Sequence, residues 1–366
     1  MTTTVLRAAN ALLDQQPSGP VQVQLEGNRI VDVGPASDGD IPPGAELIDL
    51  GDRFIGPGFV DVHAHFEVAA RTWHTTVDCR APTCEGVDDV VEALHEAARD
   101  RDRDAWLVGQ GNLFFDRKLS EGRMPTKADL DRASTDIPIA VRAGGHITVL
   151  NSRALEFAGI DRDYEVPNYS VTGLPVVERD ANGEPTGVVK EMDKLLSFPD
   201  LDLSGDALRD ALREGAHELF TRHGATTVGE ISETVEGLRA MDSLIKDDEM
   251  GLSVATYLWA PGTLTVEEAC NWSEHLSFDA PSDRMWIQGL KLFADGGFTA
   301  AGAAVKRPYV VEPHGCGHLA FSSESFSDAI RPTAEAGLQL AVHANGERAQ
   351  ELVCGELAEA DLPWRL

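Results

Sequence analysis

His63 and His65 stand two residues apart in the segment GFVDVHAH, a spacing that can bind a metal ion. On a strand, side chains at i and i+2 leave the same face, so both imidazoles can reach one ion. Zinc and its neighbours accept neutral imidazole readily. The bland alternative is an H-x-H pair arising by chance at a solvated strand end. Two other groupings offer suitable residue types. His314, Cys316 and His318, in PHGCGH, have a spacing open to metal but lie in a Pro- and Gly-rich loop. His217 and His223, in HELFTRH, miss the H-E-x-x-H zinc motif because the second His comes two positions late; they read as solvated or packed helix residues.

The elements around the pair are legible from pattern. Residues 1–57 hold short alternating runs, VQVQL and then EGNRIVDVG, whose EGN turn reads as a hairpin in a small β-domain. From Gly58 the pattern becomes a buried strand, GFVDVHAH, followed by alternating helical and strand patterns that argue for βα units and a parallel sheet. Helices are predicted near 206–223, 234–248, 265–277, 324–337 and 346–360, with Gly224, Gly251 and Gly337 where C-cap glycines belong. Residues 66–205 interrupt this rhythm as a long insertion. It has strand candidates WLVGQGNLFF and IPIAVRAGG, a helix NSRALEFAG and a polar loop around 161–187.

Composition narrows the class of partner. The 366 residues are 42% hydrophobic, enough for a sizeable core, and no apolar run approaches the ~20 residues of a membrane helix. Thirty-one basic against 61 acidic residues give a formal net charge of −30, which repels nucleic acid and anionic membranes. The seven lysines (118, 127, 190, 194, 246, 291 and 306) are few beside so many acids. That balance reads as halophilic, the plainer alternative being a merely acidic mesophilic enzyme. The N-terminus lacks the pattern of a secretory signal, so a cytoplasmic protein is expected. The five cysteines, at 79, 84, 270, 316 and 354, follow no C-x-x-C pattern and read as reduced thiols.

The segment PGFVDVHAHFE resembles the first barrel strand of the amidohydrolase superfamily, metal-dependent hydrolases built on a distorted TIM barrel. IAVRAGGHITVLNSRALEFAGI, NGEPTGVVKE, GLKLFADGGFTAAGAAV and VHANGERAQELV then occur in the order of its YtcJ-like, or amidohydrolase 3, branch. The resemblance implies an α/β fold: a TIM-like (β/α) barrel over residues 58–366 with the 66–205 insertion after strand 1, and a partial β-sandwich over 1–57. It implies divalent metal ligands at His63, His65, Lys291 and His343, one or two ions, zinc being expected. Lys291 would act as a carbamate formed with CO₂, because an ammonium has no lone pair to give. Asp295, four residues on, is the runner-up ligand, and His146 in GGH-x₄-N-S matches a substrate-contacting position.

The implied activity is hydrolysis of non-peptide C–N bonds in small amide-like substrates through a metal-activated water. Five barrel strands are expected, near 58–63, 225–231, 252–258, 287–293 and 339–344. The family's S-D-x-P segment, whose Asp is ligand and base, does not occur in the 366 residues. The barrel is therefore expected to be incomplete and the catalytic base is unassigned. The alternatives are a non-catalytic remnant or one half of a split enzyme, working as a homo-oligomer or with a complementing C-terminal fragment.

Overall fold

Short alternating runs cut by Gly and Pro favour strands over helices in the first 59 residues. The computed structural model describes residues 3–13, 16–37, 41–168, 170, 174–310, 315–358 and 364–365. It contains two compact units, 1–59 and 60–366. In the first, seven strands are formed: β1 (Thr3–Ala8), β2 (Asn10–Leu13), β3 (Gln16–Ser18), β4 (Val21–Glu26), β5 (Arg29–Pro35), β6 (Glu46–Asp49) and β7 (Phe54–Ile55). They make a four-stranded sheet in the order β5-β4-β1-β6 and a three-stranded sheet in the order β3-β2-β7. The expected hairpin joins β4 to β5 through Gly27, whose φ of +61° suits a residue without Cβ.

From Val60 on, the second unit holds the rest of β8 (Phe59–Ala64) and then α1 (Phe66–Thr75). The insertion then supplies β9 (Val77–Asp78), α2 (Val87–Ala98), β10 (Leu107–Gly111), α3 (Lys127–Ala133), β11 (Ile139–Ala143), β12 (Ile147–Leu150), α4 (Ser152–Phe157), β13 (Val176–Arg179) and β14 (Pro185–Lys190). Its strands form one mixed sheet, β13-β14-β12-β11-β10-β9. The predicted polar loop at 161–187 is thus partly a hairpin. Asp180 Oδ1 accepts from the amides of Asn182 (2.8 Å) and Glu184 (2.9 Å), and Gly183 at φ +85° closes the turn.

Repeating units follow: α5 (Gly205–Gly215), β15 (Ala225–Ile231), α6 (Val235–Lys246), β16 (Ser253–Trp259), α7 (Val266–Cys270), α8 (Trp272–His275), β17 (Met285–Phe293), α9 (Ser323–Glu335), β18 (Gln339–His343), α10 (Glu347–Ala358) and β19 (Trp364–Arg365). They curl into a half-barrel sheet, β19-β18-β17-β16-β15-β8, in which β15 to β19 are parallel. Alternation sets the two faces. Val228, Val254, Leu258, Leu290, Leu292, Leu340 and Val342 join the helices in the main core, whereas Ile231, Tyr257, Trp259, Phe293 and Ala341 cluster on the inner face.

Several expectations need correction. Six strands form where five were expected, because β19 adds two residues beside β18. GFVDVHAH is not buried: β8 is the sheet's edge, with Phe59, Val60 and Val62 between 58% and 70% exposed. The helix predicted at 265–277 breaks at Asn271, whose side chain donates to the Glu267 carbonyl (3.0 Å). The helix predicted at 206–223 gives way after Gly215 to a π turn and a 3₁₀ turn. Gly224 and Gly337 do take left-handed conformations, but Gly251 does not. α6 is closed instead by Asp248 at φ +58°, with the Glu249 amide donating to the Leu244 carbonyl (2.8 Å) and the Asp248 amide to that of Ile245 (3.2 Å). The end of the helix predicted at 346–360 lies outside the described residues. No described helix is long and apolar enough to cross a membrane.

Asn151 ties the insertion together. Fully buried, it accepts from the amides of Ile139 (3.0 Å) and Ala154 (2.7 Å) and donates to the carbonyls of Ser134 (2.9 Å) and Ile137 (3.0 Å). The N-S of the GGH-x₄-N-S motif is therefore a structural clamp. Asn151→Ala orphans four backbone groups, three of them buried, and is expected to destabilise the protein by about 3 kcal/mol, read from the midpoint of urea unfolding.

Candidate active site

The register that builds the inner face also gathers the predicted ligands. Phe293 pairs with His343, Lys291 with Ala341, and Trp259 with Lys291, so Trp259, Lys291, Phe293 and His343 share the inner face near the carboxyl ends of three neighbouring strands. His63 is the penultimate residue of β8, and His65 caps α1 immediately after it. Their ring centroids are 5.9 Å apart. The Phe293 ring stacks on His343 at 4.9 Å between centroids and 27° between planes, and Lys291 Nζ lies 4.9 Å from the Phe293 centroid.

Charge links all four. Burial, then Lys291, then His63 push His65 down to about 4. Burial and Lys291 likewise push His343 down to about 4, with His146 and His63 adding to the effect. Both imidazoles are neutral near pH 7, the form in which a ring nitrogen can serve as a ligand. The four groups are electrostatic neighbours. Even so, among the described residues no three His, Cys, Asp or Glu side chains form a group able to hold an ion.

Asp295 is fully engaged by the backbone. Its carboxylate accepts from the amides of Ala304 (2.8 Å), Asn345 (2.9 Å) and Gly346 (2.7 Å). Burial nevertheless holds its carboxyl above the usual range. The side chain thus fastens the loop after β17 to the turn after β18, and its Oδ1 lies 3.7 Å from His343 Nε2. Asn345 Nδ2 stands 3.1 Å from the same nitrogen.

His146, on the loop between β11 and β12, borders the same cavity, and its Nδ1 lies 3.0 Å from Glu191 Oε2. Glu191 is buried and held at φ +52°, a left-handed conformation that a non-glycine residue adopts only under constraint. The cavity encloses about 610 Å³. Trp73, Leu219, Trp259 and Phe293 give it an apolar wall; Arg80, Arg142, Lys194 and Glu233 give it a polar one. The insertion and the half-barrel both contribute, as long βα loops do in barrel enzymes.

The other sequence candidates stay apart from this centre. His217 and His223 are exposed. Cys316 is half-buried and His318 exposed in their loop, and His314 lies outside the described residues. Sequence reading missed Glu191, Arg142, Lys194 and Glu233. Of these, Glu191 and Arg142 lay inside motifs already quoted, NGEPTGVVKE and IAVRAGG, but were not singled out within them.

Comparison with known proteins follows the same lines. The sequence profile of the Amidohydrolase family matches residues 46–365. YtcJ of Bacillus subtilis, which carries the name of an amidohydrolase, is 30% identical over 315 residues, covering 85% of this chain and 56% of that protein. The N-substituted formamide deformylase of Arthrobacter pascens is 30% identical over 190 residues, 51% of this chain and 34% of that enzyme. The crystal structure of an uncharacterized metal-dependent hydrolase from Pyrococcus horikoshii superposes with a TM-score of 0.65 at 20% identity, covering 100% of this chain and 69% of that one. The chain therefore spans little more than half the length of the YtcJ relative.

The His146–Glu191 pair gives a pH signature. Burial disfavours the charged ring, but the hydrogen bond and charge of Glu191 outweigh it, leaving the His146 pKa raised. A raised folded pKa stabilises fully below the unfolded value of about 6.5 and loses that contribution as pH rises through the folded value. Glu191→Gln keeps a neutral acceptor and removes the charge. Unfolding measurements are expected to show a deficit of about 1–2 kcal/mol near pH 5 that shrinks toward alkaline pH.

Proposed function

The chain belongs to the amidohydrolase family, and on that premise we propose that it carries the site of a metal-dependent hydrolase that opens non-peptide C–N bonds in small amide-like molecules. The observation that carries the reading is the gathering of His63, His65, Lys291 and His343 at one end of the half-barrel sheet, beside a cavity large enough for a small molecule.

The donor set supports a divalent ion. His65 and His343 are kept neutral and so retain a lone pair. Lys291 is buried, and as an ammonium it depresses both imidazoles; as a carbamate it would offer carboxylate oxygens in the same place. We assign zinc as the ion, one or two per chain, held by His63, His65, His343 and carboxylated Lys291, since imidazole and carboxylate donors suit it. When bound, such ions supply the Lewis acidity that lowers the pKa of water and polarises a carbonyl.

The chain's own residues do the rest. Glu191 holds the Nδ1 side of His146, leaving Nε2 for the substrate, and its charge favours the protonated ring, which can donate to a leaving nitrogen. Asp295 fixes the backbone of Asn345 and Gly346, just after His343. Trp259 and Phe293 exclude water from the inner face. No residue of this chain is assigned as the general base.

Metal analysis of the purified chain loaded with zinc tests the site. Lys291→Ala and His343→Ala are each expected to weaken metal binding by ~10-fold or more and to abolish hydrolysis of simple amides. Unchanged metal content in both variants would refute the ligand assignment. The −30 charge carries a separate expectation, that added KCl raises the melting temperature by screening self-repulsion. A melting temperature independent of KCl would sink the halophilic reading.

A further inference from the structure

Three acid–base pairs line the cavity, and each cation has its own carboxylate. Arg80 Nε donates to Asp78 Oδ1 (2.7 Å), Arg142 donates to Asp193 (2.5 Å), and Lys194 donates to Glu233. The Arg142–Asp193 pair is shielded, its side chains 13% and 9% exposed, whereas in the Lys194–Glu233 pair the carboxylate is 14% exposed and the ammonium 35%. Lys194 also sits 5.4 Å from the centroid of the Trp259 ring, so its remaining face meets an aromatic surface. Trp73, Leu219, Trp259 and Phe293 line the same cavity.

An anionic group entering this cavity finds no cation that lacks a carboxylate of its own among the three. Taking Arg142 would strip Asp193 of its partner in a place with little water, a costly exchange, and taking Lys194 would leave the half-buried Glu233 without its cation. The field of the whole chain, with a formal charge of −30, opposes the approach of an anion as well. A neutral amide with an aryl or branched apolar group meets neither obstacle and covers the aromatic wall.

We infer that the site is selective for neutral amides bearing an aromatic or bulky apolar substituent, and that the Arg142–Asp193 and Lys194–Glu233 pairs act as a filter against substrates carrying a carboxylate. The inference rests on the amide-hydrolase reading above and deepens it.

The test compares N-(2-phenylethyl)acetamide with N-acetylphenylalanine, which differ only by a carboxylate beside the scissile bond. In the zinc-loaded wild-type chain, kcat/KM and Kd are expected to favour the neutral amide by tenfold or more, about 1.4 kcal/mol. Glu233→Gln and Asp193→Asn each leave a cation without its carboxylate and are expected to narrow that ratio by improving the acid. Two variants are used so that a folding defect in one leaves the other; the wild-type ratio stands regardless. Equal use of the two compounds, preference for the acid, or a ratio untouched by both substitutions would overturn the filter. If neither amide is cleaved, the hydrolase reading fails, and calorimetric binding of the two compounds still decides the filter. Tighter binding of the neutral compound upholds it; equal, reversed or absent binding refutes it.

Discussion

A parallel sheet delivers every strand's carboxyl end to one edge, and the whole site depends on the register in which those ends meet. Helices cover the outer face, so Leu290 and Leu292 on β17 and Leu340 and Val342 on β18 must point outward. Period-2 alternation then leaves no choice for the residues between them: Lys291, Phe293 and His343 point inward. A slip of one residue would drive His343 into the helix layer and turn two leucines toward the cavity. The apolar core therefore sets the placement of the chemistry, with no polar contact required to specify it. Gly289 shows how tight the fit is, because a Cβ there would lie 2.0 Å from the Gln339 carbonyl oxygen.

Buried carboxylates handle the second task, which is to hold the loops that leave those strand ends. Glu230, near the end of β15, is fully buried and accepts from the first amides of α1, those of Phe66 (2.5 Å) and Glu67 (3.1 Å). Its carboxylate meets the positive end of that helix, which directly follows His65. Burial raises its pKa well above the usual range against the pull of those two amides, with the Glu67 charge adding to the rise. Glu67 in turn accepts from Thr234 through its amide (3.0 Å) and hydroxyl (2.7 Å), and Arg71 pairs with it at 2.8 Å. Asp295 does the same for the loops around His343. In both places a carboxylate that could pass for a catalytic acid or a ligand is occupied by backbone amides.

That distinction explains what the sequence did and did not make legible. The H-x-H strand end, the repeating βα pattern after residue 205 and the order of the motifs all lie in local, periodic signals, and these place the half-barrel and the four nitrogen side chains. What they cannot carry is pairing between distant segments. Asp295 looked like a ligand because it stands four residues from Lys291; only the folded loop shows its oxygens turned to Ala304, Asn345 and Gly346. Arg142 and Asp193 are 51 residues apart and Lys194 and Glu233 are 39 apart, so no spacing rule pairs them. β8 read as buried because its residues are apolar. Exposure is set by position in the sheet order, which a strand's own composition does not encode.

The few lysines make the same point from the side of charge. In a chain this acidic, a lysine on the open surface finds abundant counter-charge wherever it stands, so its position carries little information. The described lysines that the structure ties to specific partners are more telling. Lys127 donates to the Pro185 carbonyl (3.0 Å) at the base of the insertion, and Lys246 pairs with Asp279 (2.7 Å). Lys194 and Lys291 both belong to the site: one beside Trp259 and Glu233 at the cavity, the other buried on the inner face beside Phe293. Burial lowers the pKa of Lys194, yet Glu233 compensates its charge. The charge of Lys291 adds to burial in depressing both His65 and His343. An ammonium beside two neutral imidazoles leaves their lone pairs in place, and the same nitrogen made into a carbamate would add an anionic ligand next to them.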